Sequence, residues 1–293
     1  MSELKRYMTL INAGLYEYLP DKDTLQKSVV AAMEYSLMAG GKRIRPVLTL
    51  AFCELCGGKA EVALPFACAV EMIHTYSLIH DDLPCMDNDV MRRGKPANHV
   101  ANGEAMALLA GDALLTRAFE VILSEEVGEK VGADTALKAA RCLAESIGTS
   151  GMIGGQVIDI EAQNKCLGLT TLKQMHNMKT GALMVAAAKI GCVVAGASCT
   201  QLVATETYAK NVGLAFQIMD DILDETAASE ELGKNTGSDK NNNKSTYITA
   251  LGLEKSRVAV QDLTAEAVRV LNAFGGNTSF LEHLAWSLTT RGR

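Results

Sequence analysis

Two aspartate-rich clusters set into apolar runs constrain this chain more than any other feature. They are Asp81-Asp82-Leu83-Pro84-Cys85-Met86-Asp87 and Asp220-Asp221-Ile222-Leu223-Asp224. Residues Ile73 through Ile79 precede the first and Val212 through Met219 the second, both mostly apolar, so each cluster lies at the edge of a helix whose body must be buried. Asp220 and Asp224, at positions i and i+4, project from one helix face with Asp221 alongside. Carboxylates so crowded repel one another unless something positive is held between them. A lone D-D-x-x-D is more often a solvated face; the apolar flanks and the recurrence favour a metal site. Hard oxygen ligands select hard cations, and Mg²⁺ characteristically takes one or two carboxylates while keeping waters and substrate phosphates in its other positions. Paired clusters of this kind suit a diphosphate held through several metal ions and expelled from its carbon.

Composition points to helices. Aromatics make up 5% of the 293 residues while Ala, Leu, Gly and Met are plentiful, a mixture that favours closely packed helices over strands. No Pro/Ser-rich linker or compositional shift divides the chain, so residues 1–293 read as one domain. The net charge of −6, with no compensating basic face, argues against nucleic acid as partner. The eight cysteines lie mostly among apolar neighbours, and the single C-x-x-C at Cys53 and Cys56 has no second pair at zinc spacing. Reduced thiols in a cytoplasmic compartment are therefore expected. The N-terminus lacks the apolar run of a signal peptide. Residues 181–199 are apolar, but Lys189 and several Gly, Ser and Cys make them a buried central helix rather than a membrane span of about 20 residues.

Helical patterning predicts helices over 3–19, 24–39, 45–56, 61–83, 102–123, 133–149, 170–190, 200–224, 247–252, 254–273 and 278–288. Pro84 should end or kink the fourth and splay Asp87 from Asp81. Residues 155–160 are ambiguous, and Gly154-Gly155-Gln156 reads as a small-residue contact or turn. The long polar stretch 225–246 suits a phosphate-covering lid, with Gly233, Gly237, Lys234, Lys240 and Lys244, or else a solvated loop.

Basic groups complement the acids. Gly40-Gly41-Lys42-Arg43-Ile44-Arg45-Pro46 places three cations before a helix N-terminus, which itself attracts anions. Arg92-Arg93 follows the first cluster, and a guanidinium fork suits phosphate oxygens. His74 lies two helical turns before Asp81 and either reaches a diphosphate or fills the core. No P-loop, dinucleotide fingerprint or G-x-S-x-G elbow is present.

Taken together, these residues resemble the trans-isoprenyl diphosphate synthases, in particular the bacterial farnesyl diphosphate synthase type. The resemblance rests on ordered motifs along nearly the whole chain: G-G-K-R-I-R-P at 40–46, E-M-I-H-T-Y-S-L-I-H-D-D-L-P-C-M-D at 71–87, R-R-G-K-P at 92–96, G-G-Q at 154–156, K-T-G-A-L at 179–183, F-Q-I-M-D-D-I-L-D at 216–224 and K-S-T-Y at 244–247. It departs only slightly, with Val90 where many relatives carry Asp and Ile248 where Pro is frequent.

The resemblance implies an all-α, single-domain isoprenoid synthase helical bundle around a deep central cavity, as a homodimer without stable membrane insertion. It implies that Asp81 and Asp87 ligate two Mg²⁺ ions and Asp220 a third, three in all, with Asp82, Asp221 and Asp224 in support. Lys42, Arg45, His74 and Arg93 match positions that hold isopentenyl diphosphate. Arg92, Lys179, Thr180, Gln217 and Lys234 match those that hold the allylic diphosphate, with Lys244; Lys179, Asp220 and Arg92 are the expected catalytic groups. The implied reaction is Mg²⁺-dependent head-to-tail condensation of isopentenyl diphosphate with dimethylallyl or geranyl diphosphate in isoprenoid biosynthesis. The allylic C–O bond breaks, the isopentenyl double bond attacks the cation, and a proton leaves to pyrophosphate. Tyr76, five residues before Asp81 and about 7.5 Å along the helix, is a candidate floor for the growing chain. That favours (2E,6E)-farnesyl diphosphate, C15, with geranylgeranyl diphosphate, C20, as the alternative. A non-catalytic synthase subunit and a terpene cyclase are the remaining rivals.

Overall fold

The structure, a computed structural model, describes residues 2–163, 165, 167–230 and 246–290, with side chains 227–230 also outside the description. It is all-α, as the patterning requires: the only strands among the described residues are two dipeptides, Met91–Arg92 (β1) and Lys95–Pro96 (β2). Contacts group the chain into two compact units, Met1–Arg141 with Ile190–Gly196, and Cys142–Lys189 with Ala197–Arg293.

The first unit is built around α4, Ala60–Asp81, preceded by α1 (Glu3–Glu17), α2 (Lys27–Leu37) and α3 (Ile44–Leu55). Helix α4 is apolar on all sides, as a helix must be if neighbours surround it. Phe66, Ala67, Cys68, Ala69, Val70, Met72 and Ile73 are all at most 1% exposed. It packs against α1, α2, α3 and, most extensively, α6 (Glu104–Ile122). The expected helix over 102–123 is in fact α5 (Asn98–Asn102) followed by α6, because Gly103 between them has φ 85°. A short helix α7, Glu125–Val131, was not foreseen; Ser124 caps it by accepting from the Val127 N–H. Helix α8 runs Ala133–Ile147.

The second unit is centred on α12, Cys199–Glu230, which packs against α14 (Leu253–Val270), α15 (Ser279–Thr289) and the short α13 (Tyr247–Leu251). Leu172, Met175, Ala215, Ile218, Ile222, Tyr247 and Val260 form its buried cluster. Helix α12 continues to Glu230, so the polar stretch expected from 225 begins as helix. Residues 231–245, with Gly233, Lys234, Gly237, Lys240 and Lys244, lie outside the described residues.

The ambiguous 155–160 stretch belongs to a helix, α9 (Met152–Glu161), and the expected helix over 170–190 contains a π-turn. Leu169–His176 (α10) leads into the π-helical Asn177–Gly181 and then Ala182–Val194 (α11). A Cβ on Gly155 would lie 2.2 Å from the Lys179 backbone nitrogen, and one on Gly154 would lie 2.8 Å from Met178 Cε. The two glycines are therefore a small-residue contact, and it lets α9 seat against the π-turn. Ala60–Asp81 and Leu169–Val194 are long and apolar enough to cross a membrane by length and composition, yet their most apolar windows are 72% and 50% buried within the protein. Cys53, Cys56, Cys68, Cys85, Cys142, Cys192 and Cys199 are free thiols.

Candidate active site

In the first unit, the loop before α3 is shaped by positive φ at Gly40 (89°), Gly41 (121°) and Arg43 (49°). The turn at Arg43 sends that side chain inward, where it is 3% exposed. Its Nη1 donates to Glu71 Oε1 at 2.6 Å and its Nη2 to the Leu37 carbonyl at 2.6 Å. Of the three cations the motif supplies, Arg43 thus neutralises a buried carboxylate. Lys42 is exposed, and Arg45 lies with its Nη1 3.5 Å from His74 Nε2.

Arg93 reaches the same loop from the β1–β2 hairpin. Arg92 pairs with Lys95 across the hairpin, and Arg93 (φ 53°) and Gly94 (φ 75°) form its two-residue turn, the positive-φ geometry that suits a tight hairpin. The Arg93 guanidinium lies over Gly41, where a Cβ would meet its Cζ at 2.6 Å, and Nη1 donates to the Gly40 carbonyl. Burial, then Arg45, Arg93, Arg43 and Arg92, hold His74 well below the usual imidazole range. Burial also lowers the pKa of Arg45 and Arg93, and each feels the other or its arginine neighbours. Half-buried Arg45 and His74, with the exposed Arg93 nearby, thus form a positive patch around a neutral imidazole, an environment that favours an anion.

The first acidic cluster begins where α4 ends. Pro84 follows the end of the helix as expected, but Asp87 is not splayed away. The Asp87 N–H donates to the Asp81 carbonyl at 2.9 Å, inside a turn closed by Met86 and Asn88 N–H groups on the Leu83 carbonyl. Asp82 is 2% exposed and Asp87 is exposed. Arg92 Nε donates to both Asp82 oxygens at 2.9 and 3.2 Å, its Nη2 also bonds Asp82, and Nη2 donates to Asp89 at 3.0 Å. Expected on the allylic diphosphate, Arg92 here spends two of its nitrogens on carboxylates.

In the second unit, Asp220 is half-buried and Asp224 exposed. Burial first, then Asp224 and Asp221, push the Asp220 carboxyl up to about 7. Asp221, 7% exposed, accepts from Gln217 Nε2 at 3.4 Å and from the Tyr247 N–H, the first residue of α13, at 2.8 Å. A cavity of about 190 Å³ adjoins it, lined by Asp159, Gln163, His176, Lys179, Thr180, Gln217, Asp221 and Thr246 among others. It brings Lys179, Thr180 and Gln217 together; Lys234 lies outside the described residues.

Asp159 and His176 are additions that motif reading missed. Asp159 Oδ2 accepts from Lys179 Nζ at 2.6 Å. Burial, opposed by Asp159, lowers His176 to about 4, and its Nε2 is buried without a partner. Their spacing in the sequence, Gly155 with Asp159 and His176 with Lys179, was the available signal, once both segments are taken as helical.

The donor set fits Mg²⁺. Among the described residues no group of three or more His, Cys, Asp or Glu side chains is gathered to enclose a metal. The carboxylate oxygens of Asp81, Asp87 and Asp220 are hard donors of the kind Mg²⁺ selects, an ion that takes one or two carboxylates and completes its shell with water and substrate oxygens.

Residues 26–273 match the family model described as polyprenyl synthetase. The chain is 48% identical over 270 residues to the heterodimeric geranylgeranyl pyrophosphate synthase large subunit 1 of Arabidopsis thaliana, covering 91% of this chain and 72% of that one. It is 44% identical over 305 residues to a dimethylallyltranstransferase of Fischerella ambigua, covering 99% and 88%. Among solved structures, an FPP/GFPP synthase from Zymomonas mobilis superposes with TM-score 0.88 at 36% identity, covering 98% of this chain and 97% of that one. A geranyltransferase from Legionella pneumophila gives 0.87 at 32% identity, covering 98% and 95%. The chain belongs to the polyprenyl synthetase family, and the activity that goes with that membership is prenyl transfer.

Proposed function

We propose that this protein condenses isopentenyl diphosphate head-to-tail with dimethylallyl and geranyl diphosphates and releases chiefly farnesyl diphosphate. The observation that supports the reading is a cluster of basic and polar side chains in each unit. Arg45, His74 and Arg93 gather in the first unit beside the Asp81–Asp87 turn. Lys179, Thr180 and Gln217 line the cavity next to Asp221 in the second. In this reading Arg45, His74 and Arg93, with Lys42, hold isopentenyl diphosphate. Lys179, Thr180 and Gln217 hold the allylic diphosphate, with Lys234, Lys244 and the free face of Arg92.

Asp81, Asp87 and Asp220 would hold three Mg²⁺ ions, whose positive charge favours departure of pyrophosphate. The protein's own part is to bind and orient. Asp159 fixes the Lys179 ammonium at 2.6 Å, so that this cation meets the leaving group without having to reorganise. The neutral His74 offers a hydrogen bond to one diphosphate while Arg45 and Arg93 supply charge. No side chain need act as nucleophile: the isopentenyl double bond attacks the allylic cation, and the proton passes to the departing pyrophosphate. The functional unit is proposed to be a homodimer acting in the cytoplasm.

Product length is read from Tyr76. Its ring is 6% exposed, and its hydroxyl is buried without a hydrogen-bond partner. A bulky apolar surface in that place on α4 stops the chain at C15. The alternative, a C20 product, is favoured by the names of relatives such as the geranylgeranyl diphosphate synthase of Cyanophora paradoxa, 48% identical over 270 residues. Chromatography of products from the wild type and from Tyr76→Ala separates the two. Mainly C15 from the first and a shift to C20 and beyond from the second is expected; mainly C20 from the wild type refutes the farnesyl assignment.

A further inference from the structure

Tyr76 lies within a small built device whose other parts have no role so far. One turn along α4, His80 meets it edge-to-face, with ring centroids 5.7 Å apart and planes at 76°. That is the favoured arrangement for two aromatic rings. His80 is in turn pinned to α6: its Nε2 is 3.0 Å from the Leu108 carbonyl, which fixes Nε2 as the protonated nitrogen, and 3.9 Å from Asp112 Oδ1. The ring can reach that carbonyl only because residue 111 is glycine. A Cβ there would stand 2.1 Å from His80 Nε2 and 2.4 Å from Cδ2, so no side chain larger than hydrogen coexists with the ring in this notch. The partnerless hydroxyl of Tyr76 completes the argument. With no hydrogen bond to tether it, the ring is located by its packing, and the His80 edge is the one aromatic contact among the described residues that holds it.

We propose that His80, docked in the Gly111 notch, is a positioning residue that sets product length by holding the Tyr76 ring in place. This rests on the reading of Tyr76 as the floor of the product chain. If the floor is held from α6, loosening the hold loosens the floor. The same chemistry that ends elongation at C15 then depends on a backbone carbonyl and a glycine on a neighbouring helix, neither of which meets the substrate.

Two substitutions remove the hold by different routes. His80→Ala deletes the ring, and Gly111→Ala expels it from the notch while leaving it in the chain. Both are expected to raise the C20-to-C15 product ratio by roughly 2- to 12-fold, the factor corresponding to one edge-to-face aromatic contact. Radioactive product ratios under steady state, with geranyl and isopentenyl diphosphates and Mg²⁺, provide the readout. A fall in turnover alone leaves the ratio unmoved and marks a merely structural role. In the Tyr76→Ala background, His80→Ala is expected to add nothing. If Tyr76→Ala lengthens the product but neither His80→Ala nor Gly111→Ala does, the positioning role is overturned and the floor stands. If Tyr76→Ala leaves length unchanged, the floor itself is wrong, and a lengthening by His80→Ala in that case refutes action through Tyr76. Should Gly111→Ala not fold, His80→Ala, at a side chain 24% exposed, decides alone.

Discussion

The two acidic clusters solve the same electrostatic problem in different ways. Each has one carboxylate turned inward: Asp82 in the first, Asp221 in the second. Asp82 is neutralised by a full charge, the Arg92 guanidinium delivered by a hairpin. Asp221 is held by a backbone N–H at the start of α13 and by a neutral amide, Gln217. The first cluster therefore carries its own counter-charge. Burial raises the carboxyl of Asp82 even against Arg92, and that of Asp220, with Asp224 and Asp221 beside it, to about 7. In both, the inward carboxylate is tied into the scaffold, and under the proposed function the flanking Asp81, Asp87 and Asp220 are the ones assigned to cations.

The largest expected effect tests that division. Asp81→Ala and Asp220→Ala should each lower kcat by about 10²-fold or more, the cost of removing a charge-stabilising group from a developing oxyanion. Asp82→Asn and Asp221→Asn should lower it far less. Steady-state kinetics at saturating Mg²⁺ decide, and equal losses at Asp82 and Asp81 would erase the distinction between scaffold and ligand.

A smaller effect sharpens the comparison at the cations. Each unit uses a glycine to seat its key base, Gly41 beneath Arg93 and Gly155 beneath Lys179. The Gly155 contact is with Lys179 backbone, which cannot yield, so Gly155→Ala should raise the allylic KM by roughly 10- to 100-fold. The Gly41 contact is with the end of a flexible arginine, although φ 121° adds strain. Gly41→Ala should therefore raise the isopentenyl diphosphate KM by about tenfold or less. Separate titration of the two substrates checks both, and a Gly155→Ala effect on the isopentenyl KM alone would reverse the assignment.

The smallest effect is on stability. Asp82→Asn keeps an oxygen acceptor for Arg92 but removes the charge opposite it, and should cost about 1–2 kcal/mol. Asp221→Asn keeps an acceptor for the Tyr247 N–H and should cost about 1 kcal/mol. Urea unfolding with unchanged m-values measures the gap; the opposite ranking would mean that α13 depends on the charge of Asp221.

The helices that carry the site were legible as long, mostly apolar runs without strand-like alternation. Ile73 through Ile79 and Val212 through Met219 mark α4 and α12 in this way. What escaped depended on partners remote in the sequence. Helix α9 was ambiguous because Gly154 and Gly155 weaken any helical signal, and their reason lies in the backbone of Lys179. The π-turn at Asn177–Gly181 leaves no trace in periodicity over five residues. The family resemblance assigned Lys42 and Arg45 to isopentenyl diphosphate and gave Arg43 no role; the positive φ at Arg43 sends it inward to Glu71. The return of Asp87 to Asp81 was missed because Pro84 specifies where a helix ends and not how the following turn folds. Asp159 gave no signal until α9 existed to place it four residues beyond Gly155.

The central claim is that both clusters serve one two-substrate reaction. The direct measurement is to follow pyrophosphate and prenyl product together, with the purified protein, geranyl and isopentenyl diphosphates, and Mg²⁺ added or chelated. The account predicts one pyrophosphate released for each isopentenyl unit incorporated, with both signals lost on chelation. Pyrophosphate release without isopentenyl diphosphate would indicate a cyclase, and silence until a second, different subunit is added would indicate a non-catalytic partner; either result contradicts it.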